Sequence, residues 1–165
     1  LEKEKTGLSV AFFAVASDGT ITVRKPNDYV SSMIELAGGT YSLNGYVPEE
    51  ENALSTLKMQ MEDFYAAEKD ADILIYNGTI EGELTSIDDI LIYNSTIEGE
   101  LYSVDELLAK STLFSDFKAV KEGNVYCTGS NFFQESTGTC DFIEDLNKVL
   151  NGETDAEYRF LKKIN

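Results

Sequence analysis

Three continuous apolar runs constrain the fold of this chain more than any other feature of its sequence. They are LSVAFFAVA at 8–16, DILIY at 72–76 and VYCTG at 125–129. Unbroken runs rich in Val, Ile and aromatic residues are typical of strands that are covered on both faces. We therefore predict a buried strand in each run, with a turn at 17–20 and a short strand extension at 21–23 after the first.

The segments between these runs have the spacing of amphipathic helices. The apolar residues predict one helix over 28–37, which the following glycines end, and a second over 53–69 with Leu54 on its buried face. A helical turn is predicted at 111–120 and another amphipathic helix at 140–150. Helices of this kind have one face available to cover a sheet.

Both ends of the chain also have helical patterns. Residues 1–5 are interpreted as the tail of a helix, and 153–165 as a C-terminal helix with Tyr158, Leu161 and Ile164 on its apolar side. Strands that alternate with helices predict an α/β fold, a three-layer sandwich with a mostly parallel central sheet and helices on both faces. The length of 165 residues suits a single domain, 1–165.

A tandem repeat interrupts this pattern. Residues 72–88 and 89–105 are two copies of one 17-residue unit that differ at three positions. The differences are Gly78/Ser95, Thr85/Tyr102 and Ile87/Val104. The unit is too short, and the copies too few, for a solenoid, so we interpret it as a local duplication of one strand and its following loop.

Only one copy of this unit precedes a helix. Both copies end in a helix-capping pattern, Ser86-x-x-Asp89 and Ser103-x-x-Glu106, but only the second is followed by helical sequence, VDELLAK. One copy is therefore expected in the sheet. The other is expected as an added edge strand, a looped-out segment or a strand exchanged in a dimer.

The charge of the chain excludes several classes of partner. The 30 acidic and 13 basic residues give a net charge of −17. A surface of this sign repels the phosphates of nucleic acids and anionic lipid headgroups. We therefore predict that the protein binds neither nucleic acid nor membrane surfaces.

The residue types argue against catalysis. Histidine is absent, which removes the commonest general base, the usual partner of serine and cysteine nucleophiles, and most zinc sites. Cys127 and Cys140 are too far apart for a CxxC motif, although a disulfide between them is open. Two glutamate pairs are interpreted as solvated loop residues, Glu81/Glu83 and Glu98/Glu100. We predict no enzyme activity, no metal site and no cofactor.

Several phrases in a fixed order resemble a known family. VAFFAVA, a helix ending in AGG, ADILIYN and KEGNVY follow one another within residues 6–152. Together they resemble the C-terminal lobe of the solute-binding proteins of ABC importers for iron-siderophore, haem and cobalamin complexes. The resemblance implies one lobe of a two-lobed binding protein, without its N-terminal lobe and signal sequence.

The same resemblance implies partners and a location. The ligand would be a metal-chelate small molecule, namely a ferric siderophore, haem or a corrinoid, and the protein partner would be an ABC permease. The protein would be extracytoplasmic, in the periplasm or as a cell-surface lipoprotein. The alternative is a lobe without transport activity that acts as a structural or interaction module, for example as a strand-exchanged homodimer.

Ligands of doubly wound sheets lie outside the carboxyl ends of the strands. By resemblance, the loop at 16–28 supplies a cation to an anionic ferric complex, and Arg24 or Lys25 is the candidate. Equally open is a solvated basic pair with no ligand.

Two later loops complete the candidate ligand site. One follows the repeated strand and offers Tyr76 and Asn77, or their copies Tyr93 and Asn94; the asparagines also suit a turn or cap. The other, at 128–138, offers aromatic side chains and an amide by resemblance, with core packing as the alternative for the aromatics. Its candidates are Phe132, Phe133 and Gln134.

Glutamates are the candidates for docking to the permease. Glu49, Glu50 and Glu51 form an acidic run before a predicted helix, and the family docks through glutamates. Acidic residues are also favoured at helix N-termini for electrostatic reasons alone, so that interpretation stays open.

Overall fold

The structure of the chain is a computed structural model, which describes residues 3–47, 54–79, 99–129, 132, 138–153 and 156–165, and the backbone of 82–87 and 90–95. Its strands are β1 (Ser9–Val15), β2 (Ile21–Arg24), β3 (Thr40–Tyr41), β4 (Thr56–Met59), β5 (Ile73–Tyr76), β6 (Gly82–Ile87), β7 (Ile90–Ser95), β8 (Val125–Thr128) and β9 (Leu161–Lys163). Its helices are α1 (Tyr29–Leu36), α2 (Met61–Glu68), α3 (Val104–Lys110), α4 (Lys118–Glu122) and α5 (Thr139–Leu150), with a 3-10 turn at Thr112–Asp116.

Seven of the strands form one sheet. The order is β4-β2-β1-β5-β8-β9, and β3 also pairs with β1. The central strands β1, β5 and β8 are parallel, with Phe13 opposite Tyr76 and Tyr76 opposite Cys127. The outer strands β2, β4 and β9 are antiparallel to their neighbours. The three apolar runs are therefore the parallel centre of a mixed sheet, as predicted.

Both faces of the sheet are covered. In β1 every residue from Val10 to Val15 is buried. The ring of Phe13 lies 4.9 Å from that of Phe64 in α2. On the opposite face Phe12 contacts Phe132, whose ring lies 4.2 Å from that of Phe142 in α5. Neighbouring residues of one strand thus pack against different helices, which is the three-layer arrangement that the sequence predicts.

The predicted helix over 53–69 is partly wrong. Residues 56–59 form β4, which pairs with β2, and the helix occupies only 61–68. Leu54, expected on the buried face, is 66% exposed. The sequence does not reveal the strand-like alternation of buried Leu57 and Met59, because Leu57 also fits a helical spacing with apolar residues further along the chain.

The helices predicted at the two ends of the chain are also wrong. Residues 161–163 form β9, which pairs with β8. Near the start, residues 3–8 form no helix, and the amide of Thr6 donates to the carbonyl of Gly38 at 2.8 Å. Gly38 has φ +98° and its backbone packs against the carbonyl of Glu4, so a side chain would not fit there. Cys127 and Cys140 are both free, which excludes the disulfide.

The first copy of the repeat supplies the sheet strand. β5 lies within the first copy, whereas the second ILIYN lies in β7, which pairs with β6 in a separate two-stranded sheet. In this single chain the second copy therefore lies in a sheet separate from the seven-stranded one.

A buried carboxylate fixes the last strand. Oδ2 of Asp145, in α5, accepts the backbone N–H groups of Arg159, Phe160 and Leu161 at 2.8, 2.7 and 3.3 Å. Arg159 and Phe160 precede β9, and Leu161 begins it. Asp145 therefore holds the end of the chain against α5.

We expect Asp145→Ala to lower the free energy of unfolding by about 3 kcal/mol, because three amides lose a buried acceptor. The change is measured by urea unfolding followed by circular dichroism. Glu144→Ala is the matched control, since Glu144 is exposed on the same helix. A loss at Asp145 no larger than that of the control would contradict the anchoring role.

A second buried carboxylate has no such partners. Glu68 ends α2 and is 1% exposed, and neither carboxylate oxygen has a hydrogen-bond partner among the described residues. Burial raises the pKa of Glu68 to about 7. Below about pH 7 the folded protein therefore holds Glu68 mainly as the protonated acid.

Stability should consequently fall as the pH rises. In the unfolded chain Glu68 ionises near its ordinary pKa of 4.5, so the unfolded state releases its proton first. The loss begins above that pKa, at up to about 1.4 kcal/mol per pH unit, and levels off above the folded pKa. Glu68→Gln should remove this component. Unfolding free energies of Glu68→Gln and wild type are measured at pH 5 and pH 8. The difference between the two proteins should be larger at pH 8, and an equal difference at the two pH values would refute the assignment.

Candidate functional site

The carboxyl ends of β1, β5 and β8 lie together at one edge of the sheet, which we call the carboxyl edge. It consists of residues 16–19 after β1, 77–79 after β5, and Thr128 and Gly129 at the end of β8. Loops at this edge are where α/β sheets bind ligands.

An open pocket of about 570 Å³ lies at this edge. Its walls are the turn after β1, the loop that leads into α3, and one side of α3 itself. Its volume is within the range of small-molecule sites, roughly 300–1,000 Å³. The lining residues are Val15, Ala16, Ser17, Gly19, Gly99, Glu100, Leu101, Tyr102, Glu106, Ala109 and Lys110.

Capping contacts fix the start of α3, which forms one wall of the pocket. Ser103 Oγ accepts the N–H of Glu106 at 3.3 Å, and Glu106 Oε2 accepts the N–H of Tyr102 at 2.6 Å. The predicted capping pattern of the second copy is thereby confirmed. Since both side chains are used at the helix start, α3 begins at Val104 and presents Glu106 and Lys110 to the pocket.

A buried thiol holds the loop before α3. The amide of Leu101 lies 3.3 Å from Sγ of Cys127, in the central strand β8. Burial raises the pKa of Cys127 to about 11, so the thiol stays protonated at neutral pH. Cys127 is therefore a buried packing group that also accepts the amide of Leu101.

Tyr102 is the most exposed aromatic side chain of this wall. It is 67% exposed, and Nζ of Lys162 in β9 lies 3.6 Å from the centre of its ring. This cation–π contact fixes the ring beside the pocket. The wall thus combines an aromatic face with two carboxylates, Glu100 and Glu106, and the ammonium of Lys110.

The basic pair lies away from this pocket. β2 is antiparallel to β1, so its end at Arg24 points away from the carboxyl edge. The Arg24 side chain is buried: Nη1 donates to Ser55 Oγ at 3.2 Å and lies 3.7 Å from Oδ2 of Asp28. Lys25 is half-buried, and its amide donates to the carbonyl of Ser55. Neither residue lines the pocket.

Tyr76 ends β5 and Asn77 follows it, and neither residue lines the pocket. Tyr76 is fully buried, with its ring edge-on to that of Phe13 and 5.8 Å from Nζ of Lys110. Oδ1 of Asn77 accepts the N–H of Thr79 at 3.2 Å. This is the turn role that the sequence left open beside ligand contact.

The remaining candidates divide into two groups. Phe132 is 7% exposed and packs in the core against Phe142, as one of its two interpretations predicts. Tyr93 and Asn94 lie in β7, of which the backbone is described. Outside the described residues lie Phe133, Gln134, Glu49, Glu50 and Glu51.

Sequence reasoning missed the residues that do line the pocket. The sequence predicts a solvated loop role for Glu100 and a capping role for Glu106, and it predicts no ligand contact by Tyr102 or Lys110. One signal was available, because Tyr102 is one of the three positions at which the copies differ. Across the described residues, no three or more acidic or cysteine side chains are grouped as a metal site would require. Nor is any helix in that part of the chain long and apolar enough to cross a membrane.

Comparison with solved structures identifies the fold. Neither a family model nor a curated protein matches the sequence. A TroA-like periplasmic binding protein, FepB of Veillonella parvula, matches 100% of this chain and 50% of its own, with a TM-score of 0.58 at 15% identity. The chain has the fold of one lobe of a periplasmic binding protein.

Other structures agree with this assignment. The siderophore periplasmic binding protein from the fuscachelin gene cluster of Thermobifida fusca matches 88% of this chain and 45% of its own (TM-score 0.55, 16% identity). BSU3320 of Bacillus subtilis, a binding-protein component of a Fep/Fec-like ferrichrome ABC transporter, matches 91% and 48% (TM-score 0.54, 14% identity). The chain thus spans about half the length of these binding proteins.

The two cysteines should differ sharply in reactivity. Cys140 is exposed and Cys127 is buried, with a raised pKa. At pH 8 we expect a thiol reagent such as Ellman's reagent to label Cys140 rapidly and Cys127 only on unfolding. Cys140→Ser is the control and should abolish rapid labelling. Two rapidly reacting thiols in the native wild type would contradict the burial of Cys127.

Proposed function

We propose that the chain is the C-terminal lobe of an extracytoplasmic solute-binding protein of an ABC importer, and that the pocket at the carboxyl edge is its half of a ligand cleft. The observation that carries this proposal is the position of the pocket, on the edge where α/β sheets bind ligands, in a lobe that matches half of each binding protein. The missing half of the cleft would come from a second lobe.

The chemistry of the wall favours a chelate with an organic scaffold. Tyr102 offers an exposed ring against which such a scaffold can stack. A ferric siderophore fits this wall better than a bare ion, because the described residues group no set of metal ligands. Haem and corrinoids belong to the same class of large metal chelates and are the alternatives in the binding test.

The charge of the wall favours one type of siderophore. Glu100 and Glu106 outnumber Lys110, and the chain as a whole has a net charge of −17. A multiply anionic catecholate complex would be repelled, whereas a neutral or cationic hydroxamate complex would not. We therefore propose a ferric hydroxamate as the preferred ligand.

The permease contact and the cell-surface location complete the proposal. Glu49, Glu50 and Glu51 remain the candidates for docking to the permease, and a periplasmic or lipoprotein form is expected for a component of an importer. Arg24 is bonded within its own lobe, so a ligand contact by this residue would require its contacts with Ser55 and Asp28 to be exchanged.

Calorimetric titration with a ferric hydroxamate, a ferric catecholate, haemin and cyanocobalamin tests the proposed ligand. The hydroxamate should bind most tightly. Tyr102→Thr should weaken that binding about fivefold, which corresponds to ~1 kcal/mol of aromatic contact. Tyr46→Thr is the matched control, since Tyr46 is also partly exposed but does not line the pocket.

Two results would count against the proposal. Equal losses of binding affinity in Tyr102→Thr and Tyr46→Thr would show that the pocket is not part of the binding site. Absence of binding of all four chelates at about 1 mM would favour the alternative of a structural or interaction lobe without its own ligand.

A further inference from the structure

The repeat offers two identical strands for one place in the sheet. Residues 72–77 and 89–94 have the same sequence, DILIYN. The first copy lies between β1 and β8, and the second lies in the hairpin of β6 and β7. Since the strands themselves are identical, the choice between them must come from the residues that flank them.

The residue after the strand distinguishes the copies. It is Gly78 in the first and Ser95 in the second. A Cβ on Gly78 would overlap the carbonyl oxygen of Thr128, and would lie 2.8 Å from Sγ of Cys127 and 3.0 Å from Cα of Glu100. Two of these neighbours are backbone atoms, so rotation of a side chain cannot relieve the overlap. The second copy would bring the Cβ of Ser95 to this place.

The residue before the strand differs as well. Ala71 precedes the first copy and is 5% exposed, and its amide donates to the carbonyl of Glu68. The equivalent residue of the second copy is Asp88. Placing that carboxylate where Ala71 lies would bury an unpaired charge at a position that is almost fully covered. Both flanks therefore favour the first copy.

The choice of copy decides where the additional residues leave the sheet. With the first copy in place, they leave after Gly78 and return at Glu100, at the carboxyl edge, where residues 99–102 line the pocket. With the second copy in place, residues 72–88 would leave before the strand, at the opposite edge.

We propose that Gly78, supported by Ala71, selects the first copy for the sheet and thereby directs the 17 additional residues to the pocket edge of the lobe. This inference is independent of the proposed ligand, because it concerns which residues lie in the sheet.

Hydrogen–deuterium exchange of the full chain tests the choice of copy. In the wild type, amides 73–76 should be protected by strands on both sides, and amides 90–93 should exchange faster in their two-stranded sheet. Gly78→Ser should lower the melting temperature by about 5 °C or more. Ser95→Gly, the same exchange in reverse within the hairpin, is the control and should change it little.

A combined variant reverses the selection. Asp88→Ala with Gly78→Ser and Ser95→Gly gives the second copy the favourable flanks, so the protected amides should move from 73–76 to 90–93 and the stability lost in Gly78→Ser should return. Protection that stays at 73–76 in the combined variant, or a combined variant no more stable than Gly78→Ser, would overturn the proposal. So would a Gly78→Ser protein with unchanged melting temperature and exchange.

Discussion

Phe12 and Phe13 are neighbours in β1 whose rings point to opposite faces of the sheet, and each belongs to a different aromatic cluster. Phe13 contacts Phe64, Tyr76 and Phe114 on one face, and Phe12 contacts Phe132 on the other. Each buried ring contributes on the order of 2–3 kcal/mol of apolar burial. Because both faces of β1 must be covered, the helices are divided between two layers, and the strand ends are the places where loops are free to form a site.

The buried polar groups around this core differ in how many hydrogen bonds they make. Asp145 accepts three amides and so organises the last strand. Arg24 is engaged by Ser55 and Asp28, whereas Glu68 has no hydrogen-bond partner among the described residues. The contacts of Asp145 and Arg24 fix the segments that they join relative to each other. Glu68 makes its stability depend on pH within the physiological range.

Much of the architecture could be predicted from the sequence, because parallel strands buried on both faces have an unmistakable composition. The central strands, α1 with its Asp28 cap, and the single helix start after the repeat all follow from local patterns. The short antiparallel strands did not. β4 and β9 are defined by the neighbour they pair with, and their residues fit helical spacing equally well.

The site was less predictable than the fold, for a physical reason. The strand direction at Arg24 and the burial of its side chain depend on pairing and packing that no local pattern contains. Pocket residues such as Glu106 have local roles, here helix capping, that explain their presence without reference to a ligand. The repeat gave the clearest sequence signal, because two of the three differences between its copies, Gly78/Ser95 and Thr85/Tyr102, have a structural consequence.

The close approach of Gly78 to Glu100 has a consequence for the history of the lobe. A looped-out segment whose two ends lie close together can lengthen or shorten without moving the sheet. The entropic cost of closing a loop grows only with the logarithm of its length. Unequal recombination between the two near-identical units would therefore add or remove whole 17-residue segments while the core stayed intact. The carboxyl edge of this lobe is thus a position at which length can vary between generations at little cost to folding.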